Sequence, residues 1–239
     1  MTVYCIKKNK TIPDIQNARY YLKHYKEKNR KKLEARIEKE FAANIEKCKK
    51  LSKDFEPVIT SLKLKFGSSI CETGGCIFRK VISADYSTIL AIQDKVVADL
   101  LENKTLFIPT EKHKIKQYIE DENTYFICVE TTSGIGAYAY TLLNDNTSYI
   151  TEHFKNKKVA LFDSVVVLPE LRGNQLQQRF MELSFQKAKE TNHDVIAAIV
   201  SPENAQSLNN FEKNGFKKLK TIEVGGFTRY IVFKNLSND

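Results

Sequence analysis

The residues best suited to chemistry lie in one stretch, Asp163 to Phe180, which reads D-S-V-V-V-L-P-E-L-R-G-N-Q-L-Q-Q-R-F. An apolar strand runs into a short basic turn containing glycine, and the turn opens a helix. Backbone N–H groups at such a turn point outward unpaired, and the helix dipole adds roughly half a positive charge, so the turn can hold a phosphate. Arg172 supplies a forked cation, and Gly173 lets a ligand approach the backbone closely. Arg-Gly turns of this kind are common in strand-turn-helix units, so the turn alone does not define an activity. Asp163 could remove a proton from a substrate, or it could hydrogen-bond a neighbouring loop. Strict strand alternation puts Ser164 on the face opposite Asp163, as packing. The five cysteines contain no C-x-x-C pair, and His24, His113, His153 and His193 form no cluster, so no metal site is expected.

Stepping outward, residues 76–234 alternate strand and helix patterns. Strands are expected at Cys76–Val81, Thr124–Glu130, Gly136–Leu143, Val159–Leu168 and Val195–Val200, with a final hairpin of Lys217–Val224 and Thr228–Phe233. Helices are expected at Ala84–Leu101, Lys112–Ile119, Leu176–Thr191 and Ala205–Asn214. The result is an α/β protein with one mixed sheet and helices on its faces. Upstream, residues 14 to about 55 read as a long helix starting after Pro13, with an apolar stripe from Leu33 to Phe55. A short amphipathic piece follows Pro57. Gly67-Ser68-Ser69 and Gly74-Gly75 read as a linker, dividing a helical extension (1–70) from the α/β domain (75–239).

The chain resembles the GNAT superfamily, the Gcn5-related N-acetyltransferases. Arg172-Gly173-Asn174-Gln175-Leu176-Gln177 sits where the family's Arg/Gln-x-x-Gly-x-Gly/Ala loop belongs, after Val167-Leu168-Pro169. At the right distance, the segment from Ser201 to Phe216 is similar to the family's Asn-x-x-Ser-x-x-x-Tyr-x-x-x-Gly-Phe block. The resemblance covers about two-thirds of the chain and leaves out residues 1–70. It implies the GNAT-type acyl-CoA N-acyltransferase fold and acetyl transfer from acetyl-CoA to a primary amine by direct attack in a ternary complex, with no metal. It also implies that strand Asp163–Leu168 splays from Val195–Val200, exposing the backbone of Val165, Val166 and Val167 to the cofactor's arm. The diphosphate would then rest on Arg172, Gly173, Asn174, Gln175, Leu176 and Gln177. Asn204 and Ser207 either contact the cofactor or cap the helix at Ala205. Asp163 is the implied base and Glu130 a further one. Tyr230 is an acid candidate, or a core or rim aromatic.

Two positions depart from the family pattern. Gln175 replaces the usual glycine, which costs about 1 kcal/mol or more if that residue needs positive φ. Phe211 replaces a tyrosine held to protonate the departing thiolate, and could instead pack on the arm. A thiol with pKa near ~8.5 leaves tolerably without an acid. Phe107, His113, Tyr118, Arg229 and Tyr230 are the expected acceptor lining. Arg229 either binds a carboxylate or pairs with a surface acid, and the second reading is preferred.

Composition bounds the partners. The net charge of +9 is concentrated in residues 1–66, which hold 18 Lys and Arg against 8 Asp and Glu. The basic helix either packs on the catalytic domain or on a second copy as a homodimer, binds RNA, or stands as a solvated arm. Lys and Glu alternate along it, so nucleic acid is set aside in favour of packing. The acceptor is expected to be a small-molecule or peptide amine. The rival reading is a catalytically weak GNAT-fold module whose basic helix engages RNA or an acidic protein. No apolar run reaches the ~18 residues of a membrane span, and no signal peptide is visible, so a cytoplasmic location is expected.

Overall fold

A computed structural model describes residues 55–56, 62–66, 69–73, 76–100, 103–131, 134–144 and 148–236. The expected helix of residues 14–55 and its homodimer contact lie outside the described residues, apart from Phe55. In chain order the elements are β1 (Phe55–Glu56), β2 (Leu62–Phe66), β3 (Ser69–Thr73), β4 (Ile77–Lys80), α1 (Tyr86–Asp99), α2 (Lys112–Glu120), β5 (Thr124–Thr131), β6 (Gly134–Leu142), α3 (Ser148–Thr151), β7 (Val159–Val167), α4 (Leu176–Glu190), β8 (Val195–Val200), α5 (Ala205–Lys213), β9 (Lys217–Val224) and β10 (Phe227–Asn235). Single 3-10 turns cover Ser83–Asp85, Lys104–Leu106 and Pro169–Leu171.

The main sheet has the order β1-β4-β5-β6-β7-β8-β10-β9. Every neighbouring pair is antiparallel except β7–β8, which is parallel. This is the mixed α/β sheet expected from residue 76 onward. Upstream the expectation needs correction. Phe55–Glu56 pairs with β4 and is no helix end. Within the stretch expected to hold an amphipathic piece and a linker, Leu62–Phe66 pairs antiparallel with Ser69–Thr73. Leu62-Lys63-Leu64-Lys65-Phe66 alternates with period two, the strand signature.

Alternation in the strands feeds two layers. Ile127, Val129, Ala137, Ala139, Ala160 and Phe162 pack under α4 and α5 with Phe180, Met181 and Phe211. On the other face, Phe126, Cys128, Tyr138 and Tyr140 pack against Ile89, Ile92 and Val96 of α1 and Ile115 of α2. Cys128 is fully buried in this layer. Arg79 is also buried, held between Asp85 and Glu130 at 2.6 Å each. Glu130, the further base candidate, is therefore engaged in an ion pair at the β4 side of the sheet.

Candidate functional site

The site is built where β7 leaves β8. The two strands pair only through Val159↔Val195, Ala160↔Ile196 and Leu161↔Ala197. Beyond Leu161, β7 continues to Val167 bonded to β6, while β8 continues to Val200 bonded to β10 alone, which pairs with it along its whole length. One edge of β7 is thus open, and a backbone edge that faces a cleft needs a partner. The cleft has a volume of about 1020 Å³. It runs from the β7 edge to the start of α4 and across to the β9–β10 hairpin.

At one end lies the turn into α4. Gly173 has φ +88° and Gln175 has φ +57°, so position 175 does require the left-handed conformation, and glutamine occupies it with strain. Gln175 is the N-cap residue, yet no side chain caps the helix. The first amides of α4 have no intrahelical partners and point at solvent. Arg172 ion-pairs with Asp99 at 2.8 Å, both groups near half exposed. Gln177 ties α4 to α5. Its amide donates to Ser207 Oγ at 3.0 Å and accepts from Asn210 Nδ2 at 2.7 Å. Asn204 caps α5, accepting from the Ser207 amide at 3.0 Å, and it also lines the cleft.

At the opposite end a bulge in β7 changes the chemistry. Tyr140 pairs with Ser164 and Thr141 with Phe162, which leaves Asp163 unopposed. A bulge re-aims the side chains that follow it. Consequently Ser164 does not point away from Asp163, as simple alternation required. Both converge on the Tyr140 hydroxyl, which donates to Asp163 Oδ2 at 2.5 Å and accepts from Ser164 Oγ at 3.1 Å. With its proton on Asp163, the same oxygen accepts from Thr110 Oγ1 at 2.6 Å. Burial, followed by the nearby Asp163 charge, raises the Tyr140 phenol well above its usual pKa. Gln93, buried in α1, accepts from the Thr110 amide at 3.0 Å and donates to its carbonyl at 2.9 Å, so the loop before α2 is held in place.

Of the sequence candidates, Asp163, Val165, Val166, Val167, Arg172, Gly173, Gln175, Leu176, Gln177, Asn204, Ser207 and Phe211 line this cleft. Asn174 and Tyr230 do not. Asn174 donates to the Leu171 carbonyl at 2.8 Å, inside its own turn. The Tyr230 ring lies under the Lys218 ammonium, 3.3 Å from the ring centroid, and packs on the α4–α5 layer. Phe211 is buried against Phe162 and Phe216 while touching the cleft. Phe107, Tyr118 and Arg229 line the far wall, as does Glu111, whereas His113, 3.3 Å from the Glu111 carboxylate, lies outside the lining. Tyr140 and Thr110 were missed by the sequence reading. The repeat Ala137-Tyr138-Ala139-Tyr140 carried the signal, because it puts two phenols on one buried face where each needs a hydrogen-bond partner.

A sheet splayed between parallel strands, with an uncapped helix start at the mouth of the gap, is the architecture of a coenzyme-binding acyltransferase. A sequence profile of the acetyltransferase (GNAT) family matches residues 94–216, and the chain belongs to that family. Its structural neighbours agree. It resembles yncA from Salmonella typhimurium, solved with its cofactor acetyl-CoA, at 15% identity, covering 69% of this chain and 96% of that one, with TM-score 0.54. It resembles ribosomal-protein-alanine N-acetyltransferase from Brucella melitensis at 19% identity, covering 66% and 98%, with TM-score 0.52. It also resembles a chain of the NatC complex bound to Gag peptide and CoA at 15% identity, covering 68% and 99%, with TM-score 0.53. At these identities the likeness is one of fold. No curated protein matches the chain significantly.

Proposed function

We propose that the protein transfers the acetyl group of acetyl-CoA to a primary amine by direct attack, with both substrates bound together. The observation that carries this is the open β7 edge, which joins an uncapped helix start at one end to a hydrogen-bonded carboxylate at the other. The cleft fits a long coenzyme. Its 1020 Å³ lies at the upper end of small-molecule sites, and its walls combine apolar residues with backbone donors.

Backbone groups of Val165 and Val167 hold the pantetheine arm as a further strand would. The amides of residues 173–177 hold the diphosphate, with Arg172 adding charge. Phe211 and Leu176 provide apolar walls that exclude water. When bound, acetyl-CoA supplies an activated acetyl thioester. A backbone N–H near Val165–Val167 stabilises the charge that develops on its carbonyl. Asp163 takes the proton from the incoming ammonium, directly or through one water, and the Tyr140 hydroxyl holds that carboxylate in place. No acid is required for the thiol, whose pKa is near ~8.5.

Calorimetric titration with acetyl-CoA tests the binding half, and no saturable heat would sink it. Thiol release over an amine panel tests the chemistry. Asp163→Asn is expected to lower kcat by about 10²–10⁴-fold while leaving acetyl-CoA affinity unchanged. Unchanged kcat removes Asp163 from the proton path.

A further inference from the structure

Arg229 is the one buried arginine on the cleft wall, only 4% exposed. It sits on β10 next to Tyr230, which pairs with Val200 at the end of β8. Its Nη1 donates to the Thr228 carbonyl at 2.9 Å. Its Nη2 is buried and has no hydrogen-bond partner. Among the described residues no carboxylate lies within ion-pair range of this guanidinium. Glu203 and Glu223, whose charges reach it from beyond that range, hydrogen-bond threonines. Glu223 accepts from Thr228 Oγ1 at 2.6 Å, and Glu203 accepts from Thr105 Oγ1. The Phe227 ring lies 5.3 Å from the guanidinium carbon and supports it from one side. The expected pairing of Arg229 with a surface acid is therefore corrected, because among the described residues no carboxylate comes within ion-pair range of it.

A buried, unpaired guanidinium is costly, and proteins seldom retain one without a partner. Burial also lowers its pKa, and the charges of Glu203 and Glu223, which lie beyond ion-pair range, offset this only in part. The location narrows what the partner is. This wall is formed by the β9–β10 hairpin and the segment 105–111. Ile108 reaches Gly225 at its rim, and Glu203 is tied to Thr105. The diphosphate turn, by contrast, is knitted to α5 through Gln177, Ser207 and Asn210. The other charged pair on the acceptor side, Glu111 with Lys114 at 3.7 Å, is internally neutral. Asp163 and Arg229 are left as an anion and a cation facing one cleft. An ammonium and a carboxylate carried by one molecule complement both.

We infer that the acceptor is an amine bearing its own carboxylate, which Arg229 binds through its free donors while the amine meets Asp163. The inference rests on the acetyl-transfer reading above. Arg229 positions the substrate and takes no part in proton transfer. The carboxylate can belong to a free amino acid or to an acidic side chain beside a peptide's N-terminus. Both present the same chemistry.

The test uses the full chain with acetyl-CoA and two matched panels. One holds free α-amino acids against their α-amides, and the other holds tetrapeptides beginning Ala-Asp against the same peptides beginning Ala-Asn. The expected result is a preference for the carboxylate form of about 10- to 100-fold in kcat/KM in one panel, which also identifies the source. Arg229→Gln should abolish that preference by raising KM for the carboxylate form, with acetyl-CoA affinity unchanged. Arg229→Lys, which keeps charge but loses the fork, should restore part of it. Equal rates for both forms in wild-type protein would overturn the inference without any variant. So would a loss of acetyl-CoA affinity in Arg229→Gln, because Arg229 would then serve the coenzyme's phosphates. Absence of acetyl-CoA binding by wild-type protein is a separate result, which removes the acetyl-transfer reading and this inference with it.

Discussion

Removing the Tyr140 hydroxyl with Tyr140→Phe isolates the network at the bulge. At neutral pH the substitution deletes a donor to Asp163 and an acceptor for Thr110 and Ser164. A hydrogen bond to a charged group is worth about 1.5–3 kcal/mol, and partners left behind in a buried site add to the loss. The expected destabilisation at pH 7 is therefore about 2–3 kcal/mol. The sharper signature lies at alkaline pH. Burial and the Asp163 charge raise the folded-state pKa of Tyr140, whereas the unfolded phenol ionises near about 10. The unfolded chain then binds fewer protons than the folded one, so the stabilisation is fully present below about pH 10 and is lost as pH rises toward the folded value. The maximal slope is about 1.4 kcal/mol per pH unit for one such group. Tyr138, also raised by burial, adds a second contribution that the variant keeps. Urea unfolding at intervals from pH 7 to 11 measures the slope directly. Tyr140→Phe should show a shallower alkaline decline than wild type by up to about 1.4 kcal/mol per unit. Identical slopes would mean that Tyr140 ionises as readily folded as unfolded, and the buried network would be refuted.

Gly136→Ala should destabilise the fold by about 1–3 kcal/mol in urea melts, since the added Cβ would meet Leu171 Cδ1 at 2.2 Å inside the core. Gln175→Gly removes a left-handed strain of about 1–2 kcal/mol and restores about 0.5–1 of unfolded-chain freedom, so unfolding should show a small net gain with acetyl-CoA affinity intact. Asp99→Asn releases Arg172 from its ion pair and should tighten acetyl-CoA binding about 2–5-fold in low-salt calorimetry, with the gain fading at high salt.

Much of the scaffold was legible because its pattern is local. The run Val159–Val167, the amphipathic α4 and the β9–β10 hairpin each carry their period in their own residues, and their bounds differ from expectation by a few residues at most. Gln175 was legible as a departure, but its cost depended on a φ angle that only the folded turn decides. The bulge was hidden. An extra residue in β7 is defined by what β6 places opposite it, and no feature of Phe162-Asp163-Ser164 announces the slip. That slip moved Ser164 to the Asp163 side and brought in Tyr140 from another strand. Arg229 was misjudged for a related reason. The sequence reading expected a surface acid without identifying one, and the fold leaves Glu203 and Glu223 bonded to threonines rather than to Arg229.

The three residue pairs that join β7 to β8 make the sheet two half-sheets meeting at a short seam. Hydrogen exchange should report this. Amides flanking the seam should open more readily than those in the fully paired β5–β6 ladder. On the proposed binding mode, a coenzyme arm inserted there would bridge both halves and add stability by mass action, about 2.7 kcal/mol at a concentration one hundred times Kd. The donor would then act as a removable stave of the sheet, its arrival and departure changing how tightly the two half-sheets are held together.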